Sequence, residues 1–398
     1  MNKKAIGCIL MILGTTVGAA MLALPIVTAY ESFAMSMLLL ISGWVLMTIG
    51  AFSLLEVNLW LKPRTNMISM ANKTLGKMGM AVTWVVYLLL LYSLISAYLS
   101  GLSDVTQSLL ANISINIPRW AATFLGLGLF GSIVYRGIGS VDIVNRGLMS
   151  LKLLAYFILV TMVASHIDID MTLSGDYEWR NSAFMVVLTS FGYAIIVPSI
   201  RDYLDNDHKL LKKVVLIGSL LPLFIYALWV FTVHGVIAKT GETGLISMLS
   251  SSQSNSMLMN NLSQVTDSAW VSAIVKFFIS ICAVTSFLGV SICLTDFIAD
   301  GISVEKTGKQ GLIVYAISYL PPLVMVLVSP GIFIKALDYG GTLCLILLVI
   351  IPLLMLYFGR YKHNLLEHQL LPGKAFILIA LIVVCSILVV NTVYAVLV

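Results

Sequence analysis

The sequence predicts an all-α polytopic membrane protein of eleven transmembrane helices. Ten form two five-helix halves of opposite orientation and the eleventh is extra. Three observations carry this expectation. Hydrophobic residues are 60% of the chain, charged residues 10%, and mean hydropathy is +1.02; a soluble domain carries roughly 45–50% apolar and about 25% charged residues. Apolar runs of bilayer-spanning length recur along the whole chain, about 20 residues at roughly 1.5 Å each being enough to cross the hydrocarbon core. Two of these runs, five spans apart, carry matching interruptions. No room is left for a sizeable soluble domain, so residues 1–398 read as a single transmembrane unit.

Apolar runs bounded by charge or turn clusters place the helices near 5–29, 33–57, 79–102, 119–135, 142–166, 183–200, 214–234, 270–296, 311–328, 331–357 and 373–397. The first follows Lys3-Lys4 and imitates a secretory signal. Its apolar stretch is too long for one and many spans follow, so it reads as uncleaved. The fifth can begin anywhere between Val141 and Leu148, and 235–269, rich in Ser and Asn, reads as the one long loop. The halves cover about 5–166 and 183–357, with 373–397 as the extra helix.

Charge sets the orientation. With a cytoplasmic amino terminus, eighteen of the twenty-three Lys and Arg residues fall in cytoplasmic loops or at cytoplasmic helix ends. Arg119, Arg180 and Lys239 fall outside, and Lys276 and Lys335 lie within spans. Loop 167–182, with Asp168, Asp170, Asp176 and Glu178, is acidic and external. This is the asymmetry of the positive-inside rule, and losing one early span would scramble it. The net charge of +5 therefore reflects topology rather than a nucleic-acid partner.

The first helix is interrupted at Gly14-Thr15-Thr16-Val17-Gly18-Ala19-Ala20, with Pro25 following. The sixth is interrupted at Leu188-Thr189-Ser190-Phe191-Gly192-Tyr193, with Pro198 following. Irregular backbone at membrane depth is tolerated only where protein or a water-filled cavity satisfies the freed groups. Five is odd, so the two halves enter inverted, and paired broken helices in corresponding halves point to a transport site. The alternative is that Gly and Pro are common in membrane helices and allow close packing.

Nothing supports catalysis. Cys8, Cys282, Cys293, Cys344 and Cys385 fall in apolar segments without CxxC or metal-ligand spacing, and the five histidines lie near loops or span ends. No HExxH, GxSxG or Walker motif appears, so neither an enzyme, a cofactor nor a metal is expected. No repeated pore ring suggests a channel.

The run Gly14 to Pro25 resembles the first-helix signature of the hydroxy/aromatic amino acid permeases, the bacterial tyrosine and tryptophan transporters of the amino acid/polyamine/organocation superfamily. Leu54-Leu55-Glu56-Val57, Thr189 to Tyr193 with Val197-Pro198-Ser199, Thr285-Ser286-Phe287-Leu288-Gly289-Val290, Asp296 and Leu320-Pro321-Pro322 continue the pattern in order to about residue 357. The tyrosine-specific branch is nearest. The resemblance implies the leucine-transporter-like 5+5 inverted repeat, a bacterial inner-membrane location and proton-driven amino acid import; eleven spans from a cytoplasmic amino terminus would leave the carboxyl terminus periplasmic. Ala20 stands where the family often has Gly, and Ala194 where it commonly has His, which leaves the preferred side chain open among tyrosine, tryptophan and phenylalanine.

A zwitterion needs two opposite poles. The half-helix after the first break offers N–H groups and a positive dipole end to a carboxylate, which makes Thr15, Thr16, Val17, Gly18, Ala19 and Ala20 candidates. Freed carbonyls around Ser190 suit the ammonium. Phe191, Gly192 and Tyr193 are candidates for the side-chain slot. So are Tyr92, Ser96 and Tyr98 on the third helix, which the resemblance places beside the broken helices.

Ionisable residues inside spans are costly and therefore functional suspects. In sodium-coupled members of the implied fold, a cation lies between the first, fifth and eighth helices on hydroxyls like those of Thr285 and Ser286. Lys152 could replace that cation and carry the coupling proton, or it could snorkel to the cytoplasmic surface. Glu56 and Asp296 could join a proton path or pair with Arg146 or Arg136. Lys276 could snorkel outward. Lys335 and Asp338 could neutralise each other, with Asp338 a candidate outer-gate or substrate contact. The expected partners are an amino acid, a proton and the lipid bilayer. The alternatives are sodium coupling, a broader specificity, or a transport-dead sensor that keeps the site.

Overall fold

The computed structural model describes residues 3–397 except 64, 137, 205–206, 267, 305–307 and 366, and at 138–146, 309 and 394–397 it describes the backbone alone. The first span is broken into α1 (Lys3–Thr16) and α2 (Ala19–Val27), bent by 54°. The chain continues through α3 (Phe33–Leu59), α4 (Met67–Ala111), α5 (Arg119–Tyr135), α6 (Ile138–Val163) and the short α7 (Ile169–Leu173). The sixth expected span is broken as well. It comprises α8 (Asn181–Ser190), a 3-10 turn at Gly192–Ile196 and α9 (Val197–Tyr203). Then follow α10 (His208–Val236), α11 (Leu245–Ser250), α12 (Ser254–Gln264), α13 (Ala269–Gly301), α14 (Gly308–Val328), α15 (Phe333–Leu345), a π-helical segment at Ile346–Ile350, α16 (Ile351–Tyr361) and α17 (Lys374–Leu397). Among the described residues there is no strand, only an isolated bridge between Glu31 and Asp176.

By length and composition, nine described helices can cross a membrane, or ten when the bent pair α1–α2 counts as one span. Of the eleven expected spans the fourth forms as α5, a helix of 17 residues. Two expectations need correction. The third helix reaches beyond 79–102 at both ends: within Met67–Ala111 two helical pieces meet at a kink at Gly76, whose φ of 78° breaks the helical geometry, and the second piece runs on to Ala111. L side chains rarely adopt that φ, and glycine does so at no steric cost. Residues 235–269 are not one loop, for they hold α11 and α12. The start of α12 is held from far along the chain: the Asp104 carboxylate on α4 accepts the N–H groups of Asn255 and Ser256 at 2.9 and 3.1 Å. A carboxylate on exposed N–H groups at a helix start is favourable, and local sequence patterns cannot show a cap that arrives from another helix.

Packing brings the two breaks together. The halves α1 and α2 lie against α10 and α8, while α13 packs on α2, α4 and α6, and α15 on α4 and α8. Every residue of α2 is buried, so this half-span is surrounded by protein rather than lipid.

Each end of the bundle is tied by charges. Where α3 ends, Arg360 grips Glu56 with two bonds of 2.7 Å, both side chains being buried. Glu56 also accepts the N–H groups of Leu370 and Leu371 at 2.7 and 3.2 Å, and Arg360 donates to the carbonyls of Pro372 and Leu371 at 2.8 Å. The expected partner Arg136 is exposed instead, and the side chain of Arg146 lies outside those described. A planar guanidinium matches a carboxylate in bidentate fashion, and here the pair also pins the loop before α17. At the opposite end Arg180 meets Glu31, Asp176 and Glu178 at 3.5, 3.0 and 3.1 Å and lies over the Tyr30 ring. The Lys239 ammonium donates to the backbone carbonyls of Glu31 and Ser174. This cluster ties the exit of α2 to the entry of α8.

Candidate functional site

At the first break, Thr15 and Thr16 return their hydroxyls to the Ile12 carbonyl at 2.8 and 2.9 Å. Thr15 lies on the exposed side of α1. Thr16, the next residue, is buried, since the helical period carries neighbouring residues to different faces. Gly18 is extended, with φ −156° and ψ −151°, so its backbone would suit any residue. What demands glycine is space: a Cβ at 18 would stand 2.2 Å from Ser286 Oγ. The Ala19 N–H, first of α2, donates to that same Oγ at 2.7 Å.

Two carbonyls freed by the break are taken by side chains. The Tyr226 hydroxyl lies 2.7 Å from the Thr16 carbonyl. Lys152 is fully buried and donates to the Val17 carbonyl, with Thr285 Oγ1 at 3.3 Å. It does not snorkel. The ammonium reaches the break in the first span from α6, with α13 supplying the hydroxyl.

At the second break, Ser190 ends α8 and Phe191 leaves the helical ladder at φ −100°, ψ 26°. The Ser190 carbonyl lies 2.8 Å from the Tyr226 hydroxyl. Tyr226 therefore bridges both breaks, and its ring meets Phe191 edge-on at 5.1 Å. Sequence reasoning missed Tyr226. It is one of sixteen tyrosines inside an ordinary apolar helix, and only the fold shows where its hydroxyl points.

The expected aromatic residues separate. Tyr98 is buried. A Cβ on Gly192 would lie 3.8 Å from Cys344 Sγ on α15, beside the Phe191 ring that meets Tyr226. Tyr193 belongs elsewhere, its hydroxyl 2.9 Å from Thr48 on α3. Tyr92 turns to α14, donating to the Ile317 carbonyl at 2.9 Å, and the Ser96 hydroxyl returns to the Tyr92 carbonyl at 2.8 Å. Tyr92 and Tyr193 thus each join a neighbouring helix through the phenol, and the buried Tyr193 hydroxyl in particular needs such a partner.

Asp338 is half-buried on α15, beside Ser182 at the start of α8, and its Oδ1 has no partner among the described residues. Lys335, three residues earlier, is exposed and forms no ion pair with it. The expected neutralisation is absent because the two side chains leave the helix toward different surroundings. Lys276 reaches Asn112 at the end of α4, 3.2 Å away.

The arrangement presents an N–H, two carbonyls and a buried ammonium at one point where two spans are broken. Such a point can hold both charged ends of a small zwitterion and a cation. It contains no nucleophile paired with a base, and among the described residues no His, Cys, Asp and Glu group could hold a metal.

Comparison with known proteins identifies relatives along nearly the whole chain. The chain is 29% identical over 383 residues to the tyrosine-specific transport system 1 of Haemophilus influenzae, covering 96% of this chain and 94% of that protein. It is 27% identical over 388 residues to the tryptophan-specific transport protein of Shigella flexneri, covering 96% and 93%. It is 28% identical over 377 residues to glutamine transporter 2 of Aliivibrio fischeri, covering 93% and 92%. Residues 1–391 match the profile of the tryptophan/tyrosine permease family. With two broken spans meeting around a charge-bearing centre and this match along nearly its whole length, the chain belongs to the tryptophan/tyrosine permease family and is a membrane permease rather than an enzyme.

Proposed function

We propose that this permease imports an aromatic amino acid across the bacterial inner membrane by proton symport with alternating access. Tyrosine is the first candidate, with tryptophan and phenylalanine beside it. In this reading α5 is the fourth of eleven spans, the amino terminus is cytoplasmic and the carboxyl terminus periplasmic. The two five-span halves form a leucine-transporter-like inverted repeat.

The observation that carries the reading is Lys152. A fully buried ammonium on the Val17 carbonyl, with Thr285 at 3.3 Å, links the break in α1–α2 to α6 and α13. A buried charge is retained where it has a partner and a task. Here the task is to hold the two halves of the site in one arrangement when charged and to release them on losing the proton. The amino acid carboxylate meets the start of α2, its ammonium the carbonyls of Thr16 and Ser190, and its ring the side formed by Phe191, Gly192 and Tyr98.

The test is uptake into proteoliposomes under an imposed pH gradient, with and without sodium, in competition with tyrosine, tryptophan, phenylalanine, histidine, aliphatic amino acids and glutamine. Glutamine is included because a relative of similar identity carries that name. Lys152→Met should abolish gradient-driven accumulation while substrate binding survives. Intact accumulation by that variant would eliminate the coupling role.

A further inference from the structure

Both poles of the candidate site are bonded by protein hydroxyls. The Ala19 N–H, offered to a carboxylate by the start of α2, donates to Ser286 Oγ at 2.7 Å. The Thr16 and Ser190 carbonyls, offered to an ammonium, lie 2.7 and 2.8 Å from the Tyr226 hydroxyl. One hydroxyl accepts where a carboxylate would accept, and the other donates where an ammonium would donate. The two come from different helices, Ser286 from α13 and Tyr226 from α10.

We propose that Ser286 and Tyr226 are internal surrogates for the substrate's charged ends, pairing the broken-helix backbone between transport cycles and yielding it when the amino acid binds. This deepens the amino acid reading above and rests on it. The physical need is plain. Backbone groups freed at membrane depth must be paired at every stage of a cycle, including the stage without cargo. A serine oxygen is a weaker acceptor than a carboxylate, and a phenol has one proton to share between two carbonyls, whereas an ammonium has three. The surrogates therefore hold the site but lose it to a zwitterion, whose charged hydrogen bonds are roughly twice as strong as neutral ones. Phe191, edge-on to Tyr226 at 5.1 Å, couples the phenol's position to the side-chain slot. Lys152 bonds a different carbonyl, that of Val17, so the cation contact is separate from the cargo contacts.

Removing a surrogate should tighten binding, which is the opposite of removing a ligand-contacting group. Tyr226→Phe should lower the dissociation constant for tyrosine about 2- to 10-fold, the equivalent of one net hydrogen bond no longer displaced. Ser286→Ala should do the same. The two poles are then separated with half-substrates. Tyramine, which lacks the carboxylate, should gain in Tyr226→Phe and not in Ser286→Ala. 3-(4-Hydroxyphenyl)propionate, which lacks the ammonium, should gain in Ser286→Ala and not in Tyr226→Phe. Binding is read by isothermal calorimetry on the purified full chain in detergent.

Weakened or unchanged tyrosine binding in both variants, or equal effects on the two half-substrates, overturns the proposal. Failure of the wild type to bind any aromatic amino acid overturns the transporter reading instead, so the two failures are distinct. Should Tyr226→Phe not fold, 3-fluorotyrosine at 226 keeps the shape and donates more strongly. It should raise the dissociation constant about twofold, and a fall would overturn the proposal.

Discussion

Gly18→Ala is the sharpest perturbation the site offers. The backbone needs no adjustment, since φ at 18 is −156°. The new Cβ would stand 2.2 Å from Ser286 Oγ but 3.6 Å from Ser286 Cβ, so a single oxygen atom is in the way. Turning that oxygen aside breaks its 2.7 Å bond to the Ala19 N–H. A buried donor left unpaired costs about 1–3 kcal/mol, and forcing one methyl into a packed core costs about 1–3 kcal/mol more. Gly18→Ala should therefore destabilise the substrate-free protein by about 2–6 kcal/mol. Ser286→Ala should cost only the unpaired donor, about 1–3 kcal/mol. The double variant removes the oxygen and leaves two methyls at ordinary contact, so it should be no less stable than Ser286→Ala. The double-mutant cycle then yields a favourable coupling of about 2 kcal/mol or more, against about 0.5 kcal/mol for independent sites. Unfolding in mixed micelles measures all four proteins, and proteoliposome uptake should follow the same ranking for Gly18→Ala against the double variant. Additive costs within about 0.5 kcal/mol would refute the contact as the reason for glycine.

The Glu56–Arg360 pair provides a second test. Glu56→Gln leaves a buried guanidinium unpaired and should cost about 3–5 kcal/mol, and Arg360→Met should recover part of that loss in the double variant. An unchanged midpoint for Glu56→Gln would show that the loop before α17 is held by other contacts. The third concerns pH. Burial holds the Glu31 carboxyl above the ordinary glutamate range, against the opposing pull of Arg180 and Lys239. An acid raised in the folded state binds its proton there more tightly than in the unfolded chain. Its stabilising contribution is therefore complete below about pH 4.3, the ordinary glutamate value, and is lost as pH rises through the folded value. Wild-type stability relative to Glu31→Gln should fall with rising pH above that point, and a rising difference would reverse the assignment.

Much of the fold was legible because membrane helices are written in long local patterns. Apolar runs marked the spans, and the paired Gly, Thr and Ser clusters marked both breaks before any coordinate. Lys152 and Thr285 were legible as a pair because ionisable and hydroxyl groups are rare at membrane depth, and the structure puts them 3.3 Å apart. The different faces of Thr15 and Thr16 were not legible because a sequence run does not state which face each residue takes, nor were the partners of Tyr92 and Tyr193, because sixteen tyrosines share one local signature. The Glu56–Arg360 pair spans 304 positions, and no spacing rule could have joined it.

By itself, then, the sequence determined that this protein is helical, apolar enough for the bilayer, and broken in two of its spans. These follow from hydrogen-bond and burial rules that act within one helix. Only the tertiary structure decided what fills the breaks: Ser286 on the Ala19 N–H, Tyr226 between the Thr16 and Ser190 carbonyls, and Lys152 on Val17. The physical reason is that a freed backbone group must be paired but does not specify by whom. The partner is whichever side chain the packing of α6, α10 and α13 delivers.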